Sequence, residues 1–138
     1  RNAEQVKQQL EEGLDGNARP LELLQSLGPR LLALLVSPRA VQLNRAAAAD
    51  PTGELGAVIS ERGRETVAPL IGKVMERARV EGDLVFDSTE EAVGLSLNLL
   101  VGDLQIRRVI GRAPSMEEAA ITQRANQAFA HFMKLCAA

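Results

Sequence analysis

His131 and Cys136 are the only residues of their kinds among 138, so any thiolate or imidazole chemistry must run through this pair. Five positions apart on a helix they diverge by about 140°, whereas a Cys–His nucleophilic couple needs hydrogen-bond contact. One His and one Cys cannot close a zinc site. The acidic residues come as adjacent pairs, Glu11 with Glu12, Glu90 with Glu91 and Glu117 with Glu118. Adjacent positions point apart around a helix, and acids near a helix start are accounted for by the helix dipole. The glycines are scattered and build no phosphate-cradling loop. The sequence therefore names no catalytic residue, no metal ligand and no cofactor. His131 reads as a half-exposed helix residue and Cys136 as a small apolar packer.

Two polar residues stand out within STEEAVGLSLNLLVGDLQIRRVIG, Ser88 to Gly111. Asp103 and Arg107 are four apart with the acid nearer the amino end, the better orientation for a surface ion pair. Asn98, an amide deep in a leucine-rich helix, either orients a ligand in an apolar cavity or faces solvent; spacing leaves both open.

The elements that position these residues read as helices throughout. A first helix over about Ala3 to Leu14 stops at the turn DGN. A second, from Pro20 to about Val36, opens on a proline suited to the first helical position, and Gly28–Pro29 is expected to kink or break it. Ser37 and Pro38 start a third helix, which ends before Asp50–Gly53. A fourth segment begins near Glu54 and a fifth ends near Glu81, where Gly82 suits a left-handed helix end; Pro69 leaves their join open, one kinked helix being the alternative. Ser88 with Glu91, and Ser115 with Glu118, match the capping box. Each opens a long helix, and the short link GRAPS makes the two antiparallel. The expected fold is all-α, an antiparallel bundle of about six helices, with residues 1–138 forming one domain.

Composition agrees. Hydrophobic residues make up 46% and charged residues 25%, the balance of a soluble globular protein. Aromatics are only 2%, so Leu, Val, Ile and Ala must supply the packing. A net charge of -2 argues against this chain alone gripping a phosphate backbone. The densest apolar run, LLALLVS at Leu31 to Ser37, is too short to span a membrane, and RNAEQVKQQLEEGLDG lacks the apolar segment of a secretory signal. A single cysteine excludes an internal disulfide and fits a reducing compartment, giving a cytoplasmic expectation. The charged helix at the start suggests that something preceding it has been removed.

Periodicity gives the strongest signal. Val93, Leu97, Leu100 and Leu104 fall within one stripe of the Ser88–Gly111 helix, and Leu95, Leu99, Ile106 and Ile110 on the opposite face. Burying one such side chain is worth roughly 1.5–3 kcal/mol, so a bare stripe of four forgoes on the order of 6–12 kcal/mol. Either the helix is central in its own domain, or one stripe packs internally while the other meets a second chain. The second is favoured, because this helix is next to last among few. Gly94 and Gly102 permit close backbone approach in either case. The last helix has one stripe: Ile121, Ala125, Ala128, Phe129, Phe132 and Cys136.

Four passages together carry a resemblance. The leucine-rich second helix closes in LLALLVSPRAVQLNRAAAAD; DPTGELGAVISERGRETVAPLIGKVMERARVEGDL ends in a Gly-x-Leu turn; DSTEEAVGLSLNLLVGDLQIRRVIG and SMEEAAITQRANQAFAHFMKLC form a closing pair. In order and spacing these resemble the carboxy-terminal, ligand-binding and dimerisation region of a tetracycline-repressor (TetR) family transcriptional regulator. The resemblance implies a homodimer whose last two helices pair into a four-helix bundle, through Val93, Leu97, Leu100 and Leu104 with Ile121, Ala125, Ala128, Phe129 and Phe132. It implies an apolar cavity for a small hydrophobic effector where Leu24, Leu27, Leu31, Leu70, Val74 and Asn98 converge. It also implies a repressor rather than an enzyme, with DNA reached only through an amino-terminal helix-turn-helix domain absent from this chain. Effector binding would then shift the population away from a spacing that fits successive major grooves. The alternative is a helical adaptor whose leucine-rich groove takes an amphipathic helix of another protein.

Overall fold

Local chemistry sets several helix ends in the computed structural model, which describes residues 2–138. Among them are eight helices and no strand: α1 Asn2–Asp15, α2 Pro20–Leu35, α3 Pro38–Ala49, α4 Glu54–Arg62, α5 Arg64–Val80, α6 Thr89–Val101, α7 Leu104–Val109 and α8 Glu118–Cys136. The Ser37 hydroxyl accepts from the Ala40 amide at 3.1 Å and starts α3. Ser88 does the same for α6 through the Glu91 amide at 3.2 Å. At the end of α5, Gly82 takes φ +87°, and the amides of Gly82 and Asp83 donate back to the carbonyls of Arg79 and Ala78, closing the helix in the glycine-dependent way anticipated. In the turn before α4, the Asp50 carboxylate accepts from the amides of Thr52 and Leu55, each at 3.0 Å, and from the Thr52 hydroxyl. Led by the Leu55 amide, these donors hold its carboxyl below the ordinary carboxylate range.

Some expectations are resolved and others corrected. Of the kink or break expected at Gly28–Pro29, the break does not occur, and α2 runs on through Pro29. A proline in a helix interior costs about 3 kcal/mol, but Leu23, Leu27, Leu31 and Leu32 are buried on both sides of it, each worth roughly 1.5–3 kcal/mol. The join between α4 and α5, which Pro69 left open, falls at Gly63, so the two are separate helices and Pro69 lies exposed within α5. Helix α8 begins at Glu118, with no side-chain cap from Ser115, and the half-buried Met116 before it packs against the core.

One correction matters most. The stretch Ser88–Gly111 is two helices, because Gly102 adopts φ 51° and ψ −128°, a conformation that side-chain-bearing residues avoid. Arg124 of α8 fixes this break. Its Nε donates to the Leu100 carbonyl at 3.1 Å, satisfying one of the acceptors that a helix end leaves free. Helix α7 thus turns away to cap other elements. Gln105 Nε2 donates to the Leu35 carbonyl at 2.7 Å and Arg108 Nε to that of Val36 at 3.4 Å. Arg45 of α3 in turn donates to the carbonyls of Val109 and Arg108. The expected Asp103–Arg107 ion pair does not form. Among the described residues the ion pairs are Lys7–Glu4 and Arg79–Glu76, and Arg107 Nη2 donates to the Arg112 carbonyl at 3.3 Å.

The core runs through α2, which packs against α1, α5, α6 and α8. Helix α8 returns antiparallel to α6. Arg124 meets the end of α6, while Leu84, just before α6, bridges to Ala137 at the end of α8. Leu84 is 1% exposed and the Val85 amide donates to the Cys136 carbonyl at 2.8 Å, so the two ends are stapled together. Between α5 and α6, Glu76 accepts from Arg79 and from the Thr89 hydroxyl at 2.8 Å, and these bonds, Arg79 first, lower its carboxyl. No described helix is long and apolar enough to cross a membrane.

Candidate functional site

Four helices, α2, α5, α6 and α8, meet around an apolar cavity of about 60 Å³. The leucine stripe of α2 supplies Leu24, Leu27 and Leu31, and α5 supplies Ile71 and Met75. Helix α6 adds Ser96, Leu97 and Leu100; α8 adds Ala125, Ala128, Phe129 and Phe132. Small residues bring the walls together: a Cβ placed on Gly28 would lie 3.3 Å from that of Ala125, so α2 and α8 approach closely there. Leu24, Gly28, Ser96, Leu97 and Phe129 are half-buried, and the other lining residues are buried.

No charged side chain lines this space. Its one polar side chain is Ser96, whose hydroxyl donates to the Val93 carbonyl at 2.8 Å. A second, wider recess between α1 and α5 is polar and open to solvent, bordered by Glu11, Asp15, Lys73 and Arg77. There Arg77 Nη2 donates to the Leu14 carbonyl at 2.8 Å and ties the end of α1 to α5. Its apolar lining, not its width, makes the first space the candidate site. His131 is exposed and Cys136 buried, with burial pushing the thiol up; neither reaches the cavity. Among the described residues no group of His, Cys, Asp and Glu could hold a metal ion.

The structure redistributes the residues expected to act. Of the residues expected at the effector site, Leu24, Leu27 and Leu31 line the cavity and Leu70 and Val74 do not: Leu70 borders the polar recess and Val74 is 1% exposed in the core. Asn98 is exposed on the outer side of α6. Of the nine positions expected at a dimer interface, Val93, Leu100, Ala125, Ala128 and Phe132 are buried inside their own chain. They leave no surface for a second one. Leu97, Leu104, Ile121 and Phe129 are half-buried and packed on the same core or lining the cavity. Six of the nine therefore form cavity wall. Across the break, Leu95 and Leu99 are half-buried at the core's edge, and Ile106 and Ile110 are exposed.

Residues 22–137 match the sequence model of a family described as AefR-like transcriptional repressor, C-terminal domain. The chain belongs to the TetR family, as a carboxy-terminal domain. Comparison with curated proteins gives no match. Solved structures agree on the fold. A TetR transcriptional regulator from Agrobacterium tumefaciens is 28% identical, with a TM-score of 0.73 over 86% of this chain and 60% of that protein. A protein described as a TetR-family regulator, from Mesorhizobium loti, reaches a TM-score of 0.82 at 16% identity over 99% of this chain and 68% of its own. The flavonoid-responsive regulator FrrA gives 0.71 at 24% identity, over 98% and 72%. This TetR-family domain thus spans 60% of the length of its Agrobacterium relative.

Sequence reasoning missed Gly28, Ile71, Met75 and Ser96 of the cavity in this TetR-family domain. Ile71 and Met75 lie one position along from the expected Leu70 and Val74, a rotation of about 100° on a helix. Gly28 carries a signal of its own, because a glycine beside a proline within a leucine-rich helix marks either a break or a close approach. Here it is the approach.

Proposed function

We propose that this chain is the effector-binding and dimerisation core of a TetR-family transcriptional repressor, with operator DNA contacted by a helix-turn-helix domain outside residues 1–138. One observation carries the effector part: the apolar cavity between α2, α5, α6 and α8. At about 60 Å³ it is smaller than the ~150 Å³ that holds benzene in an engineered site. A small hydrophobic effector enters by displacing half-buried leucines and Phe129. Because α1 is packed on α2 and α5 and its end is held by Arg77, movement of those walls reaches α1. Effector binding then shifts the population of operator-competent spacings. The protein works in the cytoplasm.

The homodimer forms through the outward sides of α6 and α8. A Cβ on Gly94 meets nothing within 4 Å of its own chain, Leu95 and Leu99 are half-exposed beside it, and Ala119, Gln123 and Ala130 of α8 are exposed. Small residues and a leucine edge suit close helix packing. The adaptor reading is not favoured, since the leucines of α2 that would form its groove are buried in the core.

Two measurements test the proposal. Sedimentation at micromolar concentration gives a dimer for the parent chain and a folded monomer for Gly94→Phe; a monomeric parent, or a dimeric variant, refutes this interface. Xenon, small enough for the cavity as it stands, shifts the methyl NMR signal of Met75 and spares Met116 and Met133, which do not line it. Equal or absent shifts refute the cavity as a binding site.

A further inference from the structure

The chemistry of the cavity wall restricts what it accepts, and this inference rests on the effector reading above. No Arg, Lys, His, Asp or Glu lines the space, so an ionised ligand buried there would lose its hydration without finding a counter-charge. The only polar side chain available is Ser96. Its hydroxyl proton is already committed to the Val93 carbonyl at 2.8 Å, which leaves the oxygen's lone pairs as the free hydrogen-bonding capacity. A ligand that donates a hydrogen bond adds one to those already made. A ligand carbonyl can be served only by rotating the Ser96 hydroxyl away from Val93, exchanging one bond for another with no net gain.

We infer that the cavity selects uncharged, apolar molecules bearing a hydroxyl, which donates to Ser96 Oγ, over the corresponding ketones, carboxylates and amines. Entry displaces the half-buried Leu24, Leu97 and Phe129, so a flexible alkyl chain suits the site better than a rigid plate. Selection arises from hydrogen-bond direction and desolvation together: the wall tolerates any apolar body, and Ser96 reads the sign of its polar end.

The test titrates 1-hexanol, 2-hexanone, hexanoate and hexylamine into the full chain with methionine methyl groups labelled. Met75 lines the cavity and Met116 and Met133 do not, so a Met75-selective shift reports occupancy of this site. Hexanol is expected to bind more tightly than hexanone, with hexanoate and hexylamine weaker than hexanol by at least about 100-fold. Ser96→Ala is expected to weaken hexanol roughly 3–10-fold while leaving hexanone within about 2-fold. Unchanged Met116 and Met133 signals in the unliganded variant show that the fold is retained. Equal binding of hexanol and hexanone, equal losses in the variant, or hexanoate binding as tightly as hexanol overturns the ligand class while leaving an apolar site in place. If neither these compounds nor xenon shifts Met75, the effector reading itself falls.

Discussion

Replacing Gly102 by alanine separates two descriptions of the stretch between Ser88 and Gly111, because they predict opposite signs. In the structure, Gly102 has φ 51° and ψ −128°. A residue with a side chain held in a sparsely populated region of this kind costs of order 1–3 kcal/mol. The new Cβ would also sit 2.7 Å from Arg124 Nη2. The guanidinium can swing aside, but in doing so it gives up the bond to the Leu100 carbonyl. A hydrogen bond from a charged donor contributes about 1.5–3 kcal/mol, taken at the low end for a half-buried group. The sum is a loss of about 2–5 kcal/mol, against a total of about 5–15 kcal/mol for an ordinary domain. For a chain of this length the melting temperature falls by roughly 5–15 °C. In an uninterrupted helix the same change would instead stabilise by about 1 kcal/mol, the difference in helix propensity, and would raise the helical circular dichroism. Urea and thermal melts at one fixed protein concentration decide the matter. A variant more stable than its parent refutes the break at Gly102 and the role assigned to Arg124.

Leu100→Glu unfolds the chain rather than merely dissociating a dimer, since Leu100 is 6% exposed within its own core; a soluble, folded monomer by sedimentation and circular dichroism would contradict that placement. Ser88→Ala lowers stability by about 1 kcal/mol through loss of the α6 cap, while Ser115→Ala changes it little because α8 begins at Glu118 without a side-chain cap. Equal losses in urea melts would restore the cap at Ser115. The carboxyls of Asp50 and Glu76 are both depressed in the folded chain. A depressed acid contributes stability that is complete above its unfolded pKa and is lost as the pH falls through the lower folded value. Stability therefore declines below about pH 4, and Asp50→Asn with Glu76→Gln flattens that decline in melts taken between pH 5 and pH 3. An unchanged acid limb would show that these two groups do not contribute to it.

Helix ends written in two or three neighbouring residues were legible from sequence. Ser37, Ser88 and Gly82 act through bonds to amides and carbonyls a turn away, so nothing distant is needed to read them. The break at Gly102 was not legible, because glycine inside a leucine-rich helix costs only about 1 kcal/mol relative to alanine. Its local sequence is compatible with either outcome. The deciding group is Arg124, which reaches the Leu100 carbonyl from another helix. Ser115 shows the converse: a complete capping pattern goes unused where the half-buried Met116 packs against the core.

The same distinction explains how interface and cavity exchanged residues. A period of 3.6 correctly grouped Val93, Leu97 and Leu100 on one side of α6, and Ala125, Ala128 and Phe132 on one side of α8. Periodicity reports that a stripe is covered, not what covers it. Had the helix run unbroken to Gly111, the opposite stripe of Leu95, Leu99, Ile106 and Ile110 would have needed an equal cover, and a second chain was the natural supplier for one of the two. The break divides that second stripe. Leu95 and Leu99 stay half-buried on α6, while Ile106 and Ile110 turn away on α7 and stand exposed. With the second stripe divided, the first is free to face inward, where α2, α5 and α8 cover it and leave between them the small space in which Ser96 is the one polar side chain.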